Sequence, residues 1–425
     1  MPRSDAEARR TLPLPPQGGT ARRRRAAATR VPPARVRGCS VHAGRCGLRG
    51  TARHWRTDID RHRGRPHEHV QGRRACRPRR RPVLATGPGR DGGDRRVNRQ
   101  IPFGRTGLRV GRLAVGTVNF GGRTDEPEAR RILDSALAHG MNMIDTADMY
   151  GWRVHRGYTE ELIGRWLAGS PHRRDDVIVA TKVGERTGDG PNDRGLSAHH
   201  IVQGCEASLR RLGTDRIDLY QMHLYDPDVC WDVVWQAMDQ LITQGKVRYV
   251  GSSNFAGWNI ADAQHAARGR GMVGLVSEQC AYNLLTREPE LEILPAAQAH
   301  GLATLVWAPL HGGLLSGALR KAREGTGAKS AQGRAVSALS VNRPAVERYE
   351  QFCAELGRDP AEVGLAWLLS RPGALVPVIG PRTAGQVEGA LQALETELSP
   401  GELLELEKIF PPVGHGGPAP RAWID

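Results

Sequence analysis

Apolar and polar positions follow a regular pattern from Ile101 to about residue 395. The first unit pairs the strand-like apolar run RLAVGT (112–117) with EPEARRILDSALAHG (126–140), whose apolar positions follow the period of an amphipathic helix. Units of this kind predict eight strands and eight helices, with Thr159 and Ser197 as two of the helix N-caps. The strands are 112–117, 142–147, 176–183, 216–223, 247–255, 274–279, 302–310 and 375–380, and the helices are 126–140, 159–169, 197–213, 230–245, 257–271, 288–300, 360–373 and 383–395.

This alternation predicts an α/β fold with parallel strands, for which two topologies compete. One is a closed (β/α)8 TIM barrel and the other is an open doubly wound sheet. The count of eight favours the barrel. So does GTVNFGG after the first strand, because it does not match the GxGxxG fingerprint of a dinucleotide-binding sheet. The segment IPFGRTGLRVG (101–111) predicts a β-hairpin that closes the N-terminal end of the barrel.

The first hundred residues have a different composition. They hold 27 arginines, no lysine and 7 acidic residues, a net charge of +20, whereas the other 325 residues carry 34 basic and 38 acidic residues. The chain's overall charge of +16 therefore comes from this segment. Its Arg, Pro, Gly and Ala show no sustained period and include few large apolar side chains, so we expect residues 1–96 to form a disordered basic extension. Residues 97–425 form the barrel domain.

Three hypotheses account for the extension. It could be a basic arm that binds nucleic acid through phosphate contacts, or a metal-binding segment that uses its three cysteines and five histidines. It could also lie upstream of the true start, with the working protein beginning near Val97. No CxxC or HxxxH spacing supports a metal, and we expect none. Uniform use of arginine favours the upstream start, in which case no nucleic-acid partner is expected.

Other sequence features bear on the compartment. We find no apolar core of a signal peptide and no run of ~18 apolar residues that could span a membrane. Cys205, Cys230, Cys280 and Cys353 are scattered singly, which is typical of a reducing environment. We therefore expect a cytoplasmic protein without a membrane partner. A homo-oligomer is one assembly that the sequence leaves open.

Four titratable residues fall at the ends of consecutive predicted strands. Asp145 ends the second strand, Tyr150 follows it in the loop, Lys182 ends the third strand and His223 ends the fourth. Each alone has a structural explanation, such as a surface cation or a core histidine. Because barrel enzymes use the C-terminal ends of their strands for catalysis, all four together favour one active site.

The chemistry of these four groups is complementary. A tyrosine titrates near ~10, too high for efficient proton donation at neutral pH. A neighbouring lysine should stabilise the phenolate and lower the pKa of Tyr150, while an aspartate keeps that lysine charged. The histidine can hydrogen-bond the substrate oxygen or share the proton. Such a group can protonate an oxyanion, as a carbonyl requires while it accepts hydride.

Several motifs extend the pattern: DTADMYG, ATKVG, DLYQMHLYDP, QGKVRYVGSSNF, EQCAYNLL and WAPLHGGLLSG. In this order, across residues 101–410, they resemble the aldo-keto reductase superfamily, and EQCAYNLL is similar to its bacterial and channel-subunit-like branch. The resemblance implies NADPH-dependent reduction of an aldehyde or ketone. It also implies that Tyr150 donates the proton, within a catalytic tetrad completed by Asp145, Lys182 and His223.

The resemblance further implies residues that hold the cofactor. The nicotinamide carboxamide would meet Ser253, Asn254 and Gln279, and its ring would stack on Trp307. The rest of the implied cofactor set comprises Thr117 near the ribose, Ala308, Pro309, Leu310 and Gly312 at the pyrophosphate, and Gly380, Arg382 and Gln386 at the adenosine end, where Arg382 would pair with the 2′-phosphate.

Departures from the family pattern leave the choice of cofactor open. Gly389 and Ala390 stand where relatives place an acid–asparagine pair against adenine, and Ala318 replaces a common lysine. Adenine anchoring should be weaker as a result, so NADH is kept as an alternative to NADPH.

The substrate and a rival function also remain open. We expect Phe120 and Trp152 to shape a pocket for a small carbonyl compound. The rival function is that of a catalytically weak, NADP(H)-sensing regulatory subunit, as in the channel-associated relatives. His223 argues against it, because those relatives generally lack histidine at this position.

Overall fold

The computed structural model describes residues 100–169, 173–325 and 334–414. The predictions made for residues 1–96 lie outside these ranges. The described chain begins with a two-stranded antiparallel hairpin formed by β1 (Gln100–Pro102) and β2 (Arg109–Gly111). The predicted N-terminal hairpin is therefore confirmed.

Eight parallel strands close into a barrel in which β10 pairs with β3, as the (β/α)8 prediction requires. The remaining strands pair in chain order around the ring. They are β3 (Ala114–Gly116), β4 (Met143–Asp145), β5 (Ile178–Val183), β6 (Ile217–Met222), β7 (Val247–Ser253), β8 (Leu275–Ala281), β9 (Ala303–Trp307) and β10 (Leu375–Ile379).

Helices follow the strands and cover the outside of the barrel. Those that match the predicted helices are α1 (Glu126–Ala138), α2 (Tyr158–Leu167), α4 (Ala198–Leu212), α5 (Trp231–Thr243), α6 (Gly257–Gly269), α7 (Ile293–His300), α10 (Pro360–Ser370) and α11 (Ala384–Leu391). Four more were not predicted: α3 (Arg173–Asp176), α8 (Ala318–Arg323), α9 (Arg334–Glu355) and α12 (Pro400–Ile409).

The two predicted N-caps have different outcomes. Ser197 caps α4 as expected, since its hydroxyl accepts a hydrogen bond from the backbone amide of His200 at 3.2 Å. Thr159 is not a cap, because α2 begins one residue earlier, after Gly157 at φ 86°. The hydroxyl of Thr159 instead donates to the backbone oxygen of Phe120 at 3.3 Å, which joins α2 to the loop after β3.

Two apolar cores show which end of the barrel is closed. The larger core lies between the barrel and its helices, and the smaller one fills the interior of the barrel. Phe103 and Val110 of the hairpin are fully buried in the smaller core against Met143 and Leu219. The hairpin thus closes the N-terminal end, and the C-terminal rim of the strands is left for the polar residues.

The lengths and apolar character of the helices bear on whether they could cross a membrane. Within the described ranges, none combines the length and the apolar character that a membrane crossing requires.

Candidate active site

The four predicted catalytic residues lie on neighbouring elements at the C-terminal rim. Asp145 is the last residue of β4, Lys182 lies near the end of β5 and His223 directly follows β6. Tyr150 lies in the loop between β4 and α2. The parallel pairing of β4, β5 and β6 brings these side chains together.

A buried ion pair forms the centre of the site. Nζ of Lys182 donates a hydrogen bond to Oδ2 of Asp145 at 2.6 Å and another to the backbone oxygen of Thr146 at 2.9 Å. Both side chains of the ion pair are buried. An ion pair out of water requires such additional hydrogen bonds to offset the loss of solvation.

Two glutamines satisfy the second oxygen of Asp145. Nε2 of Gln279 donates to Oδ1 at 2.7 Å, and Nε2 of Gln221 donates to the same atom at 3.1 Å. No role was predicted for Gln221 from the sequence. The signal was present in DLYQMH, because residues two apart on a strand face the same side, which places Gln221 on the face that leads to His223.

Tyr150 lies beside the ion pair. Nζ of Lys182 is 5.0 Å from the centroid of the tyrosine ring, and the His223 ring approaches it edge-on at 6.0 Å. The expected lowering of the tyrosine pKa is wrong. Burial raises the pKa of Tyr150 by more than the charge of Lys182 lowers it, so the phenol stays protonated.

Lys182 and His223 have opposite charge states at neutral pH. Burial lowers the pKa of Lys182, but Asp145 and Tyr150 raise it by more, so the net shift is upward and the ammonium is retained. Burial and the charge of Lys182 lower the pKa of His223 to about 3. His223 is therefore a neutral imidazole, which can hydrogen-bond a substrate oxygen but does not share its proton near pH 7.

The residues expected at the nicotinamide form one connected network. Nδ2 of Asn254 donates to the backbone oxygen of His223 at 3.0 Å and to Oγ of Ser253 at 3.1 Å. Oδ1 of Asn254 accepts from Nε1 of Trp307 at 3.0 Å. Trp307 is half-buried and Asn254 is exposed, so a flat ring bound here would meet an indole whose orientation Asn254 fixes.

The loop after β9 has a run of left-handed backbone. Ala308, His311, Gly312 and Gly313 have φ values of 50°, 47°, 66° and 98°, all in the left-handed region. A Cβ atom added at Gly312 would meet no protein atom within 4 Å, so the space in front of this glycine is open. Left-handed turns can expose amides to a phosphate group, but here the amides of His311 and Gly313 donate to the backbone oxygens of Ala308 and Leu310. Pro309 is buried, has no amide hydrogen to offer and serves the shape of the loop.

Thr117 does not occupy the place expected for it. Its side chain is fully buried, and its hydroxyl donates to the backbone oxygen of Asp145 at 3.0 Å. It therefore supports the end of β4, and the predicted contact with a ribose is wrong. Leu310 is half-buried and packs against the larger core, which leaves only its backbone for a phosphate.

The loops after β3 and β10 meet at the predicted adenosine end. Nδ2 of Asn119 donates to the backbone oxygen of Gly380 at 2.9 Å, and the amide of Arg382 donates to Oε1 of Gln386 at 2.8 Å. Burial and, to a lesser extent, the charge of Arg123 lower the pKa of Arg382, so the two guanidinium groups repel each other. Neither guanidinium group has an acidic partner among the described residues. Two unneutralised guanidinium groups favour a bound anion. The sequence analysis did not assign Arg123.

The two pocket residues also differ in outcome. Phe120 is fully buried in the larger core, so it is a packing residue and the prediction of a pocket wall is wrong. Trp152 is 44% exposed, and its ring lies edge-on to Tyr150 with 6.5 Å between centroids. Trp152 therefore stands at the mouth of the site.

Comparisons with known proteins agree with this geometry. The model of the Aldo/keto reductase family matches residues 112–410. An uncharacterized oxidoreductase, YrpG, from Bacillus subtilis is 46% identical over 325 residues, which covers 76% of this chain and 98% of that protein. A probable voltage-gated potassium channel subunit beta from Arabidopsis thaliana is 32% identical and covers 72% of this chain and 95% of its own.

A third relative has a name that specifies a reaction. The versiconal hemiacetal acetate reductase of Aspergillus parasiticus is 29% identical, over 73% of this chain and 96% of that protein. The match to the family model spans most of the barrel, and two of these relatives exceed 30% identity over nearly their whole length. The chain belongs to the Aldo/keto reductase family.

Proposed function

We propose that this protein reduces an aldehyde or ketone to an alcohol, with NADPH as the hydride donor and Tyr150 as the proton donor. The observation that carries the proposal is the buried pair of Lys182 and Asp145 beside the protonated phenol of Tyr150. This group lies on the same rim as Trp307, the candidate platform for a nicotinamide ring.

The protein side of the reaction follows from the charge states. When bound, the cofactor supplies hydride to the carbonyl carbon. The Tyr150 hydroxyl donates its proton to the carbonyl oxygen, and the Lys182 ammonium stabilises the phenolate that remains. Neutral His223 donates a hydrogen bond to the same oxygen. Asp145 keeps Lys182 charged and aimed, with Gln221 and Gln279 fixing the carboxylate.

The cofactor would extend from the catalytic group to the loop after β10. Ser253 and Asn254 would hold the carboxamide, and the open space before Gly312 would admit the pyrophosphate. Arg382, with Arg123 beside it, would take the 2′-phosphate. Two guanidinium groups without acidic partners suit a phosphate monoester, which supports NADPH over NADH.

Turnover and binding should be measured separately. Wild-type protein and Tyr150→Phe would be assayed with 4-nitrobenzaldehyde, glyoxals and simple ketones, using NADPH and NADH in parallel. We expect Tyr150→Phe to lose most turnover and to keep NADPH affinity, because the hydroxyl acts in the transition state. Near-normal turnover in the variant would show that another group donates the proton.

A regulatory role is the second candidate. The similarity to proteins named as channel beta subunits supports an NADP(H)-sensing subunit with weak catalysis. The two candidates share cofactor binding and differ in turnover. NADPH binding without turnover across the carbonyl panel would favour the sensor, whereas turnover that depends on Tyr150 and His223 would favour the reductase.

A further inference from the structure

We infer that Glu278 is a positioning residue that sets the shape of the turn at residues 252–255, and through it the binding of the nicotinamide carboxamide. The inference rests on the proposed function, since it assumes that NADPH binds at this turn. Glu278 lies on β8 directly before Gln279. Because neighbouring strand residues face opposite sides, Gln279 reaches Asp145 inside the barrel while Glu278 lies on the outer face.

Glu278 is a buried acid without a basic partner among the described residues. Its side chain is 0% exposed. Oε1 accepts a hydrogen bond from the backbone amide of Phe255 at 3.0 Å, and Oε2 is hydrogen-bonded to the hydroxyl of Ser252 at 2.5 Å. The carboxyl group thus spans the turn from its first residue to its last.

The backbone of β8 completes this support. The carbonyl oxygen of Gln279 accepts from the amide of Asn254 at 2.9 Å and from the hydroxyl of Ser253 at 3.0 Å. Glu278 and Gln279 together therefore form hydrogen bonds with all four residues of the turn. Any residue at position 279 would supply the backbone carbonyl. The contacts to Ser252 and Phe255, at the two ends of the turn, depend on the side chain at position 278.

One residue of the turn has a left-handed backbone. Asn254 has φ 60°, a conformation that asparagine adopts more readily than other residues with a side chain. In this conformation its amide contacts both the backbone of His223 and the indole of Trp307. A shift of the turn would therefore move the carboxamide contacts and the ring platform together.

The chemistry of Glu278 indicates how closely a substitute must match it. Burial raises the pKa of Glu278 to about 8, so the group is mainly neutral at pH 7. One oxygen accepts from Phe255 and the protonated oxygen can donate to Ser252. A glutamine side chain offers the same acceptor and donor, whereas leucine offers neither and aspartate is too short to reach both ends.

The experiment compares Glu278→Leu, Glu278→Asp and Glu278→Gln with Glu160→Leu as a matched control. Glu160 is another fully buried acid on the outside of the barrel, and it contacts Thr181 and Arg211 rather than the turn. The readouts are NADPH Kd, from energy transfer between tryptophan and the nicotinamide, and Tm. KM for NADPH and kcat would be measured alongside.

We expect Glu278→Leu and Glu278→Asp to raise the Kd of NADPH by about tenfold or more, with KM rising in parallel. Glu278→Gln should stay within about threefold of wild type. Glu160→Leu should lower Tm without this loss of affinity. If Glu278→Leu does not fold, Glu278→Asp alone decides the question.

Two results would overturn the inference. One is wild-type affinity in a folded Glu278→Asp or Glu278→Leu protein. The other is an equal loss of affinity in Glu160→Leu, which would assign the effect to general destabilisation. If wild-type protein itself fails to bind NADPH, this result contradicts both the proposed function and the inference. Normal wild-type binding with no effect at position 278 rejects the inference alone.

Discussion

The side-chain amide of Gln279 donates a hydrogen bond to Oδ1 of Asp145 at 2.7 Å inside the barrel. This contact joins a residue expected at the nicotinamide to the group expected to control the proton. The other carboxylate oxygen accepts a hydrogen bond from Nζ of Lys182 at 2.6 Å, so one carboxylate holds both the glutamine amide and the ammonium group. Asp145 is consequently held from both sides, and its orientation depends on the glutamines as well as on the lysine.

We predict that Gln221→Met lowers kcat/KM for carbonyl reduction by about tenfold, or ~1.4 kcal/mol, with NADPH affinity nearly unchanged. Methionine has a similar volume but cannot donate to Asp145, so the carboxylate loses one of its two amide donors. Steady-state kinetics and NADPH titration would separate the two effects.

Gln264→Met provides the control for loss of a buried glutamine. The side-chain amide of Gln264 forms hydrogen bonds with the backbone of Leu275 and does not contact the ion pair. We expect this variant to lose stability while its folded fraction keeps kcat/KM. Equal losses of kcat/KM in both variants would contradict the prediction that Gln221 acts through Asp145.

Asp148 should destabilise the folded protein at neutral pH. It is 1% exposed, and neither carboxyl oxygen has a hydrogen-bond partner among the described residues. Burial, with a further contribution from Glu160, raises the pKa of Asp148 well above its ordinary value. Below the ordinary pKa both folded and unfolded forms are protonated and the effect vanishes. As pH rises above it, the unfolded state loses the proton first and stability falls.

We therefore predict that Asp148→Asn raises the free energy of unfolding at about pH 8 by ~1 kcal/mol or more, since one pKa unit corresponds to 1.36 kcal/mol. At about pH 4 the variant and wild type should be close. Urea unfolding at both pH values gives the comparison. A variant that is less stable than wild type at about pH 8 would contradict the prediction that the buried Asp148 carboxylate destabilises the fold.

His223 should leave no inflection in the pH dependence of turnover near neutrality. Because its pKa is about 3, the imidazole is neutral across the range from about pH 5 to pH 8. We expect His223→Ala to lower kcat/KM without changing the shape of the profile. An acidic limb near the ordinary histidine pKa that disappears in His223→Ala would show that the ring is charged in the working enzyme.

The barrel could be predicted from sequence because strand and helix periods are local properties of the chain. The eight strands and the hairpin each carry their own apolar pattern, and parallel pairing follows from their alternation with helices. Helix α9 was missed because Pro344 lies inside it, and a proline ordinarily interrupts a helix. Its burial depends on contact with the rest of the fold.

The convergence of the four candidate catalytic residues was predictable for a related reason. The ends of parallel strands meet at one rim, so position along the chain implies proximity in space. The failures concern the direction and environment of side chains. Thr117, Phe120 and Thr159 each turned inward to packing or backbone partners that no local pattern specifies. The pKa of Tyr150 was misjudged because burial, which is a tertiary property, exceeds the effect of one neighbouring charge.

The paired guanidinium groups predict how the protein distinguishes its cofactors. Arg382 is half-buried, with Arg123 close enough to lower its pKa, so a dianionic 2′-phosphate would relieve their repulsion. We expect Arg382→Ala and Arg123→Ala each to raise the Kd of NADPH about tenfold, or ~1.4 kcal/mol, and to leave the Kd of NADH within about twofold.

Higher salt should weaken NADPH binding by wild type more than by either variant. Titrations of both cofactors against wild type and the two variants measure this. Equal losses for NADPH and NADH would instead place these arginines at a part of the dinucleotide that both cofactors share.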